Sequence, residues 1–196
     1  GYNKVFYPLS EGKTVLDTTL QIFLDDSNCK QIVIVTNQAD LQKIVTNYEA
    51  GRIVNVGGGP TRQESVFNGL MAVKEEIVLI HDAVRPWCSI EKIQELLSYM
   101  ETEQAAILGV RVKDTIKEVE NGYITRTIDR ETLVHAQTPQ AFHTRFLLKC
   151  HHQAQDDHYQ ATDDAQIVEK YGQEVKVKLV EGSYKNVKIT TLEDVK

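Results

Sequence analysis

The chain has 196 residues, 41% of them hydrophobic and 26% charged, enough for one domain with a full core. Its net charge of −6 speaks against a nucleic-acid surface, which needs a basic face to meet the phosphate backbone. No apolar run approaches the ~20 residues of a membrane helix, and three scattered cysteines without CxxC spacing (Cys29, Cys88, Cys150) predict reduced thiols in a cytoplasmic protein.

Taken in chain order, Thr14–Leu24 carries Val15, Leu16, Leu20, Ile22, Phe23 and Leu24 at helical spacing. Gln31–Thr36 (QIVIVT) is short, β-branched and apolar on both faces, as a covered parallel strand should be. Ala39–Tyr48 reads as helix, Arg52–Val56 as a strand running into Gly57-Gly58-Gly59, and Arg62–Val73 as helix. Glu76–Ile80 is then strand, Ile90–Thr102 helix and Ala105–Val112 strand. Strands alternating with helices of this length make βαβ units, so the predicted fold is α/β, a Rossmann-like, mostly parallel sheet with helices on both faces.

The alternation breaks between Val112 and Gln140. Asn121-Gly122 is a strong hairpin signal, because a type I′ turn needs positive φ at both central residues. The flanks DTIKEV and YITRTI are β-prone without a consistently apolar face. Such a hairpin should project as an arm, about residues 113–140, and be stabilised by a second subunit. Beyond it, Phe142–His151 and Asp163–Tyr171 read as helices, and Val175–Val180 and Asn186–Thr190 as strands.

Ligands of such sheets sit past the carboxyl ends of the strands. There the apolar run Ile77–Ile80 gives way to His81-Asp82-Ala83-Val84-Arg85-Pro86. A carboxylate beside a guanidinium is what phosphoryl chemistry needs: one charge for Mg²⁺, one for the anion. His81 reads as a structural hydrogen-bonding residue. Gly58 and Gly59, before the helix at Arg62, let a ligand approach the backbone or simply make a turn; Ser65 could reach a base or be an ordinary polar residue. An ammonium at Lys188, pointing inward from a β-prone run, would need an anion. Taken singly, Lys4 reads as a surface lysine, Arg130 as a surface ion pair, Thr138-Pro139 as a turn, and Thr162-Asp163-Asp164 as a helix cap.

In order along the chain, NKVFYPL, GGGPTRQESVFNGL, VLIHDAVRPW, VKDTIKEV, TIDRETLVHAQTPQAF, TDDA and VEGSYKNVKITTLED resemble the 2-C-methyl-D-erythritol 4-phosphate cytidylyltransferases of the non-mevalonate isoprenoid pathway. The resemblance spans the whole chain and implies a single nucleotidyltransferase domain. It implies CMP transfer from CTP to the substrate phosphate, with Mg²⁺ and release of pyrophosphate. By the same resemblance Lys4 stabilises charge on the triphosphate, while Gly58, Gly59 and Ser65 read cytosine. Asp82, Ala83 and Arg85 contact ribose, the metal region and substrate, with Asp82 an indirect metal partner. Thr115, Arg130, Thr138 and Lys188 grip the methylerythritol phosphate, Arg130 and Thr138 coming from the partner subunit's arm in a homodimer.

Pro60 and Val84 depart from the family pattern, and the family's opening strand and glycine-rich triphosphate loop are expected upstream of Lys4. Two competing readings are ribitol-5-phosphate cytidylyltransferase, which shares HDxxRP and TPQ, and a non-catalytic nucleotide-binding protein of the same fold.

Overall fold

The structure, a computed structural model, describes residues 3–10, 12–48 and 51–194. Its elements in chain order are β1 (Pro8–Ser10), β2 (Lys13–Thr14), α1 (Val15–Leu24), β3 (Ile32–Thr36), α2 (Gln38–Tyr48), β4 (Ile53–Gly57), α3 (Arg62–Leu70) and β5 (Ile77–Ile80). There follow α4 (Ile90–Ser98), β6 (Ala105–Arg111), β7 (Ile116–Glu120), β8 (Tyr123–Ile128), β9 (Val134–His143), α5 (Thr144–Asp156), α6 (Asp164–Tyr171) and β10 (Lys178–Glu181). Helix starts obey cap chemistry. Thr14 with Asp17 and Thr61 with Glu64 form reciprocal capping boxes at α1 and α3, which satisfies amide donors left over in the first turn.

The α/β expectation holds, and the sheet is mixed. β3 and β4 pair in parallel, as do β6 and β10, whereas β9 enters antiparallel between β5 and β6 in the order β10-β6-β9-β5. β9 is the strand the sequence concealed. Pro139 argues against a central strand because it cannot donate to the ladder. The β6–β9 register slips between Ile107 and Gly109, so Gln137, Thr138 and Pro139 lie in an irregularity opposite Leu108.

Phe142 and His143 therefore end a strand, and the helix expected from Phe142 begins at Thr144. Phe142, Phe146 and Cys150 do recur at helical spacing, which misled the reading of that boundary. Val175 and Val177 pack on the core outside the sheet, and the strand starts later, at Lys178. Asn186–Thr190 is loop, held by turns of its own and by Ile189 N–H donating to Val84 O at 2.9 Å.

Alternate residues of the sheet feed two cores, as a period of two requires. Ala105 and Phe142 face Leu70 of α3, Leu147 and Cys150 of α5, and Ile167 of α6. Ala106, Leu108 and Ala141 face Ile93 and Leu96 of α4. A third cluster joins Phe6, Leu16, Leu20, Ile34 and Ile44. The three cysteines are unpaired, and burial pushes the Cys88 thiol up to about 11. Among the described residues no helix is long and apolar enough to cross a membrane.

Among the described residues, no strand pairs with the facing edges of β3 and β5. Between them lies an apolar slot of about 640 Å³, walled by Ile32–Val35 and Ile77–Ile80 and closed by side chains such as Leu16, Phe23, Val66 and Leu70. Beyond the carboxyl end of β5 its lining includes Asp82 and Ala83, and Arg62 and Ser65 of α3 line it too, while Asp26, Lys30, Glu75 and Glu76 line it as well. β7 and β8 form the Asn121-Gly122 hairpin, with φ of 51° and 85° at the turn. Val119, Tyr123 and Ile124 on it are 60%, 79% and 66% exposed. The exposed hairpin spans 116–128; residues 134–140 belong to the body, not to the arm.

Candidate active site

β5 ends at Ile80 and delivers His81, Asp82 and Arg85 into a loop braced from three directions. The Ala83 carbonyl accepts from Thr19 Oγ1 of α1 at 2.8 Å. Asp82 N–H donates to Thr138 Oγ1 of β9 at 2.9 Å. Arg85 Nη1 donates to the Asn186 carbonyl at 2.8 Å, and Asn186 Nδ2 donates to the Thr138 carbonyl at 2.9 Å. A strand end, the β9 irregularity and the C-terminal loop are thus locked into one cluster.

The Asp82 carboxylate is the charge centre. Its Oδ2 receives Lys188 Nζ at 3.1 Å and Arg85 Nε at 3.3 Å. Burial pushes its pKa up, but the charges of Lys188, Arg62 and Arg85 outweigh burial and hold the carboxyl below its usual range. Lys188 has the anion its sequence context called for, and its side chain remains 45% exposed. The cluster carries more positive than negative charge around a solvent-accessible opening, which is suited to anionic ligands.

His81 is half-buried, and the desolvation of its ring drives its pKa down to about 4. Its tautomer follows from its partners. Nε2 lies 3.1 Å from the Arg85 carbonyl, which can only accept, so Nε2 bears the hydrogen. Nδ1 of the neutral ring then accepts from Thr138 Oγ1 at 3.1 Å, while that oxygen accepts from Asp82 N–H. A relay from Asp82 N–H through Thr138 and His81 to Arg85 C=O fixes the loop. This is a positioning task, not acid–base chemistry.

The glycine segment is shaped first by its own packing. A Cβ on Gly59 would come within 2.5 Å of Glu64 Cβ, and one on Gly58 within 2.9 Å of Ser65 Oγ. Gly59 N–H donates to Ser65 Oγ at 3.1 Å, and that hydroxyl donates to the Thr61 carbonyl at 2.9 Å. Ser65 therefore clasps the loop and lines the slot.

Lys4 begins a short 3₁₀ turn, exposed, with Asn3 bonded to Asp40 at 2.8 Å and Phe6 buried in the cluster against which Ala83 packs. Thr115 and Arg130 stand exposed at the base of the hairpin. Arg130 donates to the Lys113 carbonyl at 2.7 Å, and among the described residues nothing joins it to the Asp82 cluster. Thr138 is different from its expected place. It is buried in β9 and bonded to Asp82 of its own chain, so it does not reach a partner's site.

The sequence reading missed Asn186 and Arg62. Asn186 is 2% exposed and ties Thr138 to Arg85; its only signal was its place in the NVKITT run. Arg62 opens α3 just after the glycine loop and its charge acts on Asp82; a cation after a glycine run ought to draw notice.

Comparison with known proteins agrees. The family model for 2-C-methyl-D-erythritol 4-phosphate cytidylyltransferase matches residues 1–196. The enzyme of that name from Geobacillus thermodenitrificans is 43% identical over 99% of this chain and 86% of its own, and that from Clostridium novyi 42% identical over 98% and 85%. The crystal structure of the Francisella tularensis enzyme superposes with a TM-score of 0.87 at 34% identity, covering 99% of this chain and 90% of that one.

Proposed function

The chain belongs to the 2-C-methyl-D-erythritol 4-phosphate cytidylyltransferase family and transfers CMP from CTP to 2-C-methyl-D-erythritol 4-phosphate in isoprenoid precursor synthesis; we propose that the Asp82 cluster carries that transfer. The observation that supports this most is the convergence of Lys188 and Arg85 on one carboxylate at the mouth of the slot.

An oxygen of the substrate phosphate attacks the α-phosphorus of CTP, a new P–O–P bond forms, and the bond to the departing pyrophosphate breaks. The phosphate is nucleophilic at neutral pH, so no side chain need act as nucleophile. What the protein supplies is alignment and charge. Lys188 and Arg85 hold the acceptor phosphate, and Asp82 orients both cations and meets the ribose. Lys4 neutralises the triphosphate, and Gly58, Gly59, Ser65 and Ala83 bound the nucleoside. Thr138 acts from within its own chain by fixing Asp82. Thr115 and Arg130 complete the site of the partner subunit in a homodimer joined through the hairpins.

Magnesium would neutralise charge on the triphosphate. Among the described residues no three His, Cys, Asp or Glu side chains converge, which fits an ion that takes one or two carboxylates plus substrate phosphates. Asp82 is the carboxylate that would help hold it, since among the described residues both cations contact Oδ2 and none contacts Oδ1.

The slot belongs to this reading too. Its volume of about 640 Å³ and its mixed apolar and charged lining suit a cleft that holds a ligand of nucleotide size. The test is pyrophosphate release by the full-length enzyme with CTP, Mg²⁺ and either methylerythritol phosphate or ribitol 5-phosphate. Release dependent on methylerythritol phosphate is expected; release with ribitol 5-phosphate alone refutes the assignment.

A further inference from the structure

A second charged chain reaches the mouth of the slot from the interior. Arg62 Nη2 lies 2.9 Å from Asp164 Oδ2, and Asp164 Oδ1 lies 3.0 Å from His151 Nε2. The side chains of Asp164 and His151 are 0% exposed, whereas Arg62 is 39% exposed. Helices α3, α5 and α6 thus meet at one carboxylate.

Helix capping does not explain Asp164. The cap of α6 is Asp163, whose Oδ1 accepts from Gln166 N–H at 2.9 Å and whose Oδ2 accepts from Gln140 Nε2 at 2.9 Å. Packing does not explain it either, because an apolar side chain fills a core without the desolvation penalty of a carboxylate. His151 Nδ1 makes no hydrogen bond. The ring therefore meets Asp164 through Nε2 alone, and the guanidinium of Arg62, 2.9 Å away, is the cation paired with that carboxylate.

What this buried pair accomplishes is to hold a guanidinium at a set place on the slot wall, in company with Ser65, Asp82 and Ala83. Of its five N–H donors, one is engaged by Asp164, leaving a planar fork suited to phosphate oxygens.

Resting on the cytidylyl-transfer reading, we infer that Arg62 is a further nucleotide-binding residue whose guanidinium takes a phosphate oxygen of CTP, with Asp164 and His151 as its positioning residues. The test is steady-state kinetics of the full-length enzyme, varying CTP and the polyol phosphate separately. Wild-type turnover in the same assay tests the underlying reading, so its failure is distinguishable from failure of the inference.

Arg62→Gln should raise KM for CTP about tenfold or more, with KM for the polyol phosphate little changed. Arg62→Lys should recover part of the loss, keeping charge but not the fork. Asp164→Asn keeps an acceptor for His151 and releases Arg62, so KM for CTP should rise several-fold (about threefold to tenfold) with a smaller effect on kcat. Should Arg62→Gln fail to fold, the other two variants carry the test. Unchanged KM for CTP alongside a lowered Tm overturns the inference, as does a rise confined to the polyol phosphate.

Discussion

His81 offers the sharpest check on the site's electrostatics. Its pKa falls from 6.5 to about 4, chiefly through burial. The folded protein therefore refuses a proton that the unfolded chain accepts throughout the interval between those values. In that window the unfolded state binds more protons, so stability rises with pH and is lost on acidification. From pH 7 to about 4.5 the linkage integral gives a loss of about 2.5 kcal/mol from this residue alone. Asp82 pulls the same way at lower pH: its depressed pKa supplies stability above the unfolded carboxyl value that disappears as pH falls through the folded one. His81→Gln retains an acceptor and a donor for Thr138 and Arg85 and does not titrate. Urea denaturation of both proteins at the two pH values isolates His81, because every other acid-labile group is common to both. The wild type should lose about 2 to 3 kcal/mol more than the variant. Parallel losses, within about 0.5 kcal/mol, would refute the neutral, desolvated imidazole and the relay built on it.

Two further outcomes follow from exposed residues. Lys4→Ala in the full-length enzyme should reduce turnover by about 10²–10³ while leaving Tm unchanged, since the ammonium is exposed and packs into no core; near-wild-type rates would remove Lys4 from the reaction. Val119→Lys combined with Ile124→Glu places opposite charges on directly paired hairpin residues, which preserves the hairpin while removing two of its three exposed large hydrophobic side chains. Sedimentation should then show a shift from dimer to monomer and a parallel loss of activity; a fully active dimer would disprove the role of the hairpin.

Much of this molecule is written in local pattern. Helical spacing located α1 and α4, β-branched runs located β3 and β5, and Asn121-Gly122 located the hairpin turn, because each depends on neighbours within one or two turns of chain. The abrupt passage from Ile80 to His81-Asp82 likewise marked the centre of the site, since few other places in a sheet tolerate a charge at the end of an apolar run. Tertiary structure decided the rest. β9 carries a proline that forbids a regular central strand, and only its irregular register against β6 makes the assignment possible. That same irregularity turns Thr138 toward Asp82, 56 residues earlier in the chain. Arg62 and Asp164 meet across 102 residues and Arg85 and Asn186 across 101. Contacts at such separations leave no period in the sequence, for a buried charge is chosen by whatever the fold brings beside it.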